Sequence, residues 1–234
     1  MARKRTSVVK VAYDAILEKI LSFELTPGAS VSDTQLSDEL KMSRTPVREA
    51  MVRLTIEGLI EQGDAGMFVK PMTATDIREL LEVREALESK AVELIMENGG
   101  LTKIGTEKLT YWNDQMRQHV ESNNFAMNFN ADDQFHKLLI SYANNSRLNE
   151  YANQLRLQIH RVRWLTIIKP NYACSVEEHQ NIIEALNGSD SDVALEAIKI
   201  HMVHAMENFN VVLHDENTNN LMNLIAQAAL TLKN

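Results

Sequence analysis

Two serines, Ser32 and Ser43, most constrain the fold, because each heads a short stretch with helical apolar spacing and only a tight turn separates the two stretches. A serine just before a helix accepts a hydrogen bond from an otherwise unpaired N–H of the first turn. Gln35 completes a capping box with Ser32, which predicts a helix over 33–40. Pro46 falls in the first turn after Ser43, where its missing N–H costs nothing, and Gly58 stops that helix after about Glu57. Upstream, Val8, Val11, Ala12, Ala15, Ile16 and Ile20 form a helical stripe over 8–21, closed by the turn at Pro27-Gly28. Downstream, 59–62 and 67–70 read as strands joined by a hairpin tip at Gly63-Asp64-Ala65-Gly66, and Pro71 marks a boundary. Residues 1–72 are therefore expected to form a winged helix-turn-helix.

Beyond Thr73 the pattern is helical nearly to the end, in about seven segments: 74–98, 102–121, 124–143, 146–168, 175–187, 189–213 and 217–232. Residues 73–234 thus read as an all-α bundle, and the chain as a whole as mainly α. Methionine is frequent (11), which suits adaptable helix packing. No apolar run reaches bilayer length, and Met1-Ala2-Arg3-Lys4-Arg5-Thr6-Ser7 lacks the apolar core of a signal peptide, so a cytoplasmic protein without a membrane partner is expected. A lone cysteine, Cys174, excludes an internal disulfide and fits a reducing compartment; with no cysteine-enzyme motif around it, it reads as an incidental thiol.

The net charge of −8 argues at first against a nucleic-acid partner. Its distribution removes the objection. Residues 1–70 carry 10 Lys/Arg and 10 Asp/Glu, while 71–234 carry 14 and 22, so the acidic excess lies wholly in the second part. In the first part, Arg44 and Arg48 are one turn apart at the start of the helix after Ser43. The N-terminal end of a recognition helix points at base edges in the major groove, and each guanidinium fits the two acceptors of a guanine. Ser43 and Thr45 suit phosphate contacts. Arg3, Lys4 and Arg5 are either a basic arm or a solvated terminus.

The second part carries all seven histidines: His119, His136, His160, His179, His201, His204 and His214. Asp132 and His136 lie at i and i+4, on one helix face, and can chelate one ion. His179 and His201 fall on later helices, 43 and a further 22 residues on. A carboxylate with three imidazoles suits a divalent transition metal with open positions, provided the helices bring them together; spacing alone leaves ordinary surface histidines as the alternative.

Thr26-Pro-Gly-Ala-Ser-Val-Ser, Leu36-Ser-Asp-Glu-Leu, Ser43-Arg-Thr-Pro-Val-Arg-Glu-Ala, Arg53-Leu, Glu57-Gly-Leu-Ile and Gly66-Met-Phe-Val, in this order over about 8–71, closely resemble the N-terminal domain of GntR-family bacterial regulators. The resemblance implies base reading by Arg44 and Arg48 and a wing tip near the minor groove. This chain departs at Thr34, where many relatives have arginine, and at the acidic tip, which leaves backbone contact through Gly66 as the expected wing interaction. The second part resembles the FCD effector domain of the FadR subgroup. That resemblance assigns the metal ligands to Asp132, His136, His179 and His201, with zinc first and nickel or manganese as alternatives. It implies a small organic acid as effector, with Arg84 facing the pocket; the competing reading of Arg84 is an i,i+4 surface pair with Glu88. Arg163 and its neighbour Arg161 are further effector candidates, and His204, one turn past His201, lines the pocket or rivals it as ligand. The expected whole is a homodimer that meets a short palindrome on double-stranded DNA and represses until the acid binds. A metal-dependent enzyme with a DNA-binding appendage, using Glu178 as acid or base, is the competing class.

Overall fold

The computed structural model describes the backbone of residues 2–122, 124–165 and 172–214, and side chains within 8–122, at 124 and within 127–162 and 174–210. The chain divides into two compact units that change over at Ala74 and Thr75.

In the first unit, α1 (Ala2–Leu21) turns Ala12, Tyr13, Ile16 and Ile20 inward. It packs on α3 (Arg44–Ile56), whose Val47, Ala50, Met51 and Leu54 are buried. Between them in sequence, α2 (Asp33–Leu40) starts where the Ser32 side chain accepts from the Gln35 N–H, and it ends at Lys41, which is left-handed at φ 53°. That reversal lets the Met42 N–H reach the Ser37 carbonyl at 3.0 Å, satisfying the end of α2 and turning the chain into α3. Strand β1 (Ile60–Gly63) pairs antiparallel with β2 (Gly66–Val69), Ile60 opposite Val69 and Gly63 opposite Gly66. Both strands sit one residue nearer the hairpin tip than predicted; β1 starts late because the Leu59 N–H bonds back to the Leu54 carbonyl at the exit from α3. Helix α1 begins six residues before its apolar stripe: the backbone of 2–7, including Arg3, Lys4 and Arg5, is helical, and the side chains of those residues lie outside the described ones.

The second unit holds α4 (Ala74–Glu97), α5 (Lys103–Glu121), α6 (Phe125–Tyr142), α7 (Ser146–Leu165), α8 (Tyr172–Asn187) and α9 (Ser191–His214). The helix predicted over 217–232 lies outside the described residues. Helix α5 lies against α6 and α8, α8 against α9, and α6 against α7. Val92, Leu109, Phe135, Leu139, Ile182, Leu186 and Ile198 close a continuous apolar core. Next to that core the interior holds an unusual set of polar side chains: Arg84, Glu88, Asp132, His136, Arg161, Glu178, His179 and His201 are all buried. Polar groups removed from water need partners or a ligand, so these residues mark the site. Among the described residues no helix is long and apolar enough to cross a membrane.

Candidate functional site

In the first unit, three of the six predicted DNA-facing residues, Thr34, Arg44 and Arg48, meet at one carboxylate. Ser43 is the N-cap of α3, and it, Arg44, Thr45 and Arg48 are exposed on the first turns of that helix. The Arg44 Nη2 donates to Asp33 Oδ1 at 2.9 Å and Oδ2 at 3.1 Å, and the Arg48 Nε donates to Asp33 Oδ2. Thr34 Oγ1 donates to Asp33 Oδ1 as well, at 3.3 Å. Hydrogen bonds from Arg44 hold the Asp33 carboxyl down to about 2, with Arg48 adding to the effect. Asp33 thus fans the two guanidiniums from one anchor while their remaining N–H groups face solvent. Gly66 sits where the wing turns, at φ 119°, beside the exposed Asp64. Arg53, by contrast, is drawn away: its guanidinium lies 4.1 Å over the Tyr13 ring and its Nε bonds Glu57 Oε1 at 3.0 Å.

In the second unit, the ligand atoms of His136 (α6), His179 (α8) and His201 (α9) all lie within 4.8 Å of one another, and the three rings are buried. The Nε2 atoms of His136 and His179 are 3.2 Å apart. Asp132, one turn before His136, stands beside two of the three, with Oδ2 3.6 Å from His136 Nε2 and Oδ1 3.9 Å from His179 Nε2. The outer nitrogens are tied down. His136 Nδ1 donates to Glu88 Oε2 at 2.6 Å and His201 Nδ1 donates to Glu178 Oε2 at 2.7 Å, which leaves each Nε2 as the bare nitrogen. Phe135 stacks on His179 with centroids 4.0 Å apart and planes within 2°, fixing that ring.

Burial, reinforced by the Arg84 charge, holds His136 down at about 3, so its contact with Glu88 is made by a neutral imidazole. Burial also lowers His201. Burial alone would raise Glu88, but Arg84 and His136 hold its carboxyl well below the usual range. Neutral imidazoles with outward nitrogens fastened to carboxylates are the form in which histidine ligates a metal. The fit has a direct sign: His201 Nε2 is buried and, among the described residues, has no hydrogen-bond partner. The donor set, three imidazoles with a carboxylate alongside, suits a divalent transition ion.

Arg84 is 4% exposed and its Nε bonds Glu88 Oε1 at 2.6 Å. The pair with Glu88 is interior rather than on the surface, and both residues line a cleft between α4, α6 and α7 together with His136, Lys137, Arg156 and His160. Arg161 is fully buried on α7, which lowers it to about 10. Arg163 falls on α7, and its side chain lies outside the described residues. His204 is not among the three gathered imidazoles; its Nδ1 donates to Glu178 Oε1 at 2.6 Å.

The parts played by Asp33 and Glu88, and the contacts of Glu178 with two imidazoles, are what sequence reasoning missed. Asp33 at the first position of α2 looks like a charge matched to the helix dipole. Glu88 shares a face with Ile77, Leu81, Ala91 and Ile95, all buried, and that register was the available signal. Glu178, the acid or base of the competing class, bonds the Nδ1 atoms of two imidazoles, His201 and His204.

Comparison with known proteins accords with this architecture. The model for "Bacterial regulatory proteins, gntR family" matches residues 9–69, and the FCD domain model matches 79–204, more than half of the chain. The chain is 27% identical over 217 residues to the uncharacterized HTH-type transcriptional regulator YdhC of Bacillus subtilis (strain 168), covering 88% of this chain and 93% of that one. It is 26% identical over 196 residues to the Nta operon transcriptional regulator of Aminobacter aminovorans (82% and 89% covered). It is 25% identical over 198 residues to the HTH-type transcriptional repressor RspR of Escherichia coli (strain K12) (83% and 86% covered). The solved structure of E. coli McbR/YncC has the same fold, with a TM-score of 0.73 at 22% identity over 87% of this chain and 97% of that one. This chain belongs to the GntR family of bacterial DNA-binding transcriptional regulators and carries an FCD domain behind its winged helix-turn-helix.

Proposed function

We propose that this regulator is a homodimeric repressor, acting in the cytoplasm, whose hold on a palindromic operator is released by a small organic acid bound beside a divalent metal in the FCD domain. The observation that carries the reading is the convergence of three buried imidazoles, with His136 and His201 fastened to carboxylates through Nδ1 so that their Nε2 atoms turn inward unprotonated. His136, His179 and His201, with Asp132 beside them, would hold the metal, zinc first and nickel or manganese next. A bound ion with an open position supplies an electrophilic seat for a carboxylate oxygen. Arg84, already inside the cleft, supplies the guanidinium for the rest of the acid, in competition with Glu88; Arg163 and His204 are further candidates for the effector's contacts.

On the DNA side, Arg44 and Arg48 read guanine edges, Ser43, Thr45 and Thr34 face phosphates, and Gly66 brings wing backbone to the minor groove. A two-fold protein favours a two-fold site. The effector acts by binding one spacing of the two DNA-binding units better than another, and its differential affinity sets the change in operator affinity. Relatives are named as regulators and, in the case of RspR, as a repressor, which supports this reading over a metal-dependent enzyme.

The test is a screen of organic acids by thermal shift on metal-loaded protein, followed by operator mobility shift with each hit. An acid that raises the melting temperature and releases DNA, with no turnover of the acid, is expected. His136→Ala should lose metal and the response together. Full metal retention in that variant, or turnover without any effect on DNA, overturns the proposal.

A further inference from the structure

Beside the three-histidine centre lies a second group of donors, to which the proposed function gives no metal. Cys174 and Glu178 stand at i and i+4 on α8 and so share one face of that helix. His204 meets them from α9. The Cys174 thiol donates to Glu178 Oε1 at 2.8 Å, and His204 Nδ1 donates to the same oxygen at 2.6 Å. The donor atoms of all three lie within 4.8 Å of one another. Glu178 is buried and Cys174 partly so, while the His204 side chain is 41% exposed and gives the group an open side toward solvent.

We propose that Cys174, Glu178 and His204 form a second cation site, selective for a borderline transition ion such as zinc, next to the three-histidine centre and linked to it by Glu178. One sulfur, one nitrogen and one carboxylate oxygen is a donor set for zinc or cobalt and a poor one for magnesium or calcium, which prefer oxygen alone. Two hydrogens now occupy the place of the ion, one on Cys174 Sγ and one on His204 Nδ1, both aimed at Glu178 Oε1. On binding, the thiol proton leaves to solvent and the His204 proton moves to Nε2, so one proton is released as one divalent ion enters. Bond lengths of about 2.0–2.3 Å in a tetrahedral site spread the donors to about 3.4 Å apart, a small outward movement that the exposed His204 can make. Glu178 Oε2 meanwhile stays on His201 Nδ1. An ion on Oε1 withdraws charge from that contact, so filling the second site weakens the first, and by linkage the reverse.

The chain has a single cysteine, which makes the test clean. Full-length protein, stripped with chelator, is titrated with Co(II) and followed by absorbance. Two equivalents are expected in the wild type, one of them bringing the near-ultraviolet thiolate-to-cobalt charge-transfer band. Cys174→Ser, an isosteric change checked for fold by circular dichroism, should lose that band and one equivalent. His204→Ala should weaken the band-forming equivalent more than about tenfold. His136→Ala should keep the band and lose the other equivalent, so failure of this site and failure of the three-histidine reading give different outcomes. A single equivalent without the band in wild-type protein, or a stoichiometry unchanged by Cys174→Ser, overturns the proposal.

Discussion

Replacing Glu88 by Gln takes one charge out of a pair that solvent does not reach. Arg84 Nε and Glu88 Oε1 are 2.6 Å apart, with 5% and 1% of their side chains exposed. The same i,i+4 pair on a helix surface would contribute about 0.2–0.5 kcal/mol. Inside, two unit charges about 4 Å apart between centres interact by about 4 kcal/mol at an effective dielectric near 20, and removing one partner of a buried pair typically costs about 3–5 kcal/mol. Burial therefore separates two readings by nearly a factor of ten. Glu88→Gln and Arg84→Met are each expected to lose about 3–5 kcal/mol of stability, because each strands the other charge. The double variant strands neither, so it should lose about 2–3 kcal/mol less than the sum of the singles. Urea unfolding of chelator-treated protein near neutral pH measures all four forms. Trp112 and Trp164 both belong to the second unit, so tryptophan fluorescence reports on the part that holds the pair. Single losses below about 0.5 kcal/mol, or strict additivity in the double variant, would refute the buried-pair argument.

Three further outcomes are expected. Asp33→Asn frees Arg44 and Arg48 from their common anchor and removes a negative charge from the DNA face, so binding to scrambled DNA should rise while the ratio of operator to scrambled affinity falls; titrations on both duplexes at several salt concentrations check this, and an unchanged ratio removes Asp33 from recognition. Gly100→Ala should cost about 1–3 kcal/mol in the same fluorescence assay, since Gly100 has φ 83° and an added Cβ would meet the Leu186 carbonyl oxygen at 2.7 Å; wild-type stability would mean that the α4–α5 turn relaxes freely. Acid should weaken metal-free protein early. Folded His136 is held at about 3 and His201 is lowered, so the unfolded chain takes up protons from about pH 6.5 that the folded chain refuses; stability is complete above that pH and falls below it. Glu88, also lowered, adds a further loss below about pH 4.3. A urea midpoint that stays flat between about pH 6.5 and 4 would contradict the assignment.

The elements of residues 32–58 were legible because helix starts and stops are local chemistry: the Ser32 side chain caps α2, Pro46 and Gly58 act on the backbone within a turn of themselves, and α3 starts after Ser43 although that side chain makes no capping hydrogen bond. The start of α1 was not, since the polar residues before Val8 give no stripe to follow. Within one helix, Asp132 and His136 could be paired by spacing alone. Bringing His179 and His201 to them depends on how α6, α8 and α9 stack, which no local pattern states, and the resemblance to FCD domains made that choice. The Asp33 anchor is hidden for the same reason, because its arginines lie 11 and 15 residues away across the turn at Lys41.

Glu88 is different, for its burial was encoded and went unread. Ile77, Leu81, Arg84, Glu88, Ala91 and Ile95 follow one another at intervals of four and three along α4, so the ion pair stands in register with the apolar stripe. Helix α8 repeats the pattern, with His179 in register with Val176, Ile182, Ile183 and Leu186 and Glu178 on its flank. A charged residue on the polar face of a helix needs no partner, whereas one in step with the core must have been given one. Here the partners are the Nδ1 atoms of His136 and His201, whose opposite nitrogens turn to the three-histidine cluster. The carboxylates that break the apolar pattern are therefore the ones that set which nitrogen of His136 and of His201 is bare, and they hold both rings in the orientation that brings those nitrogens together.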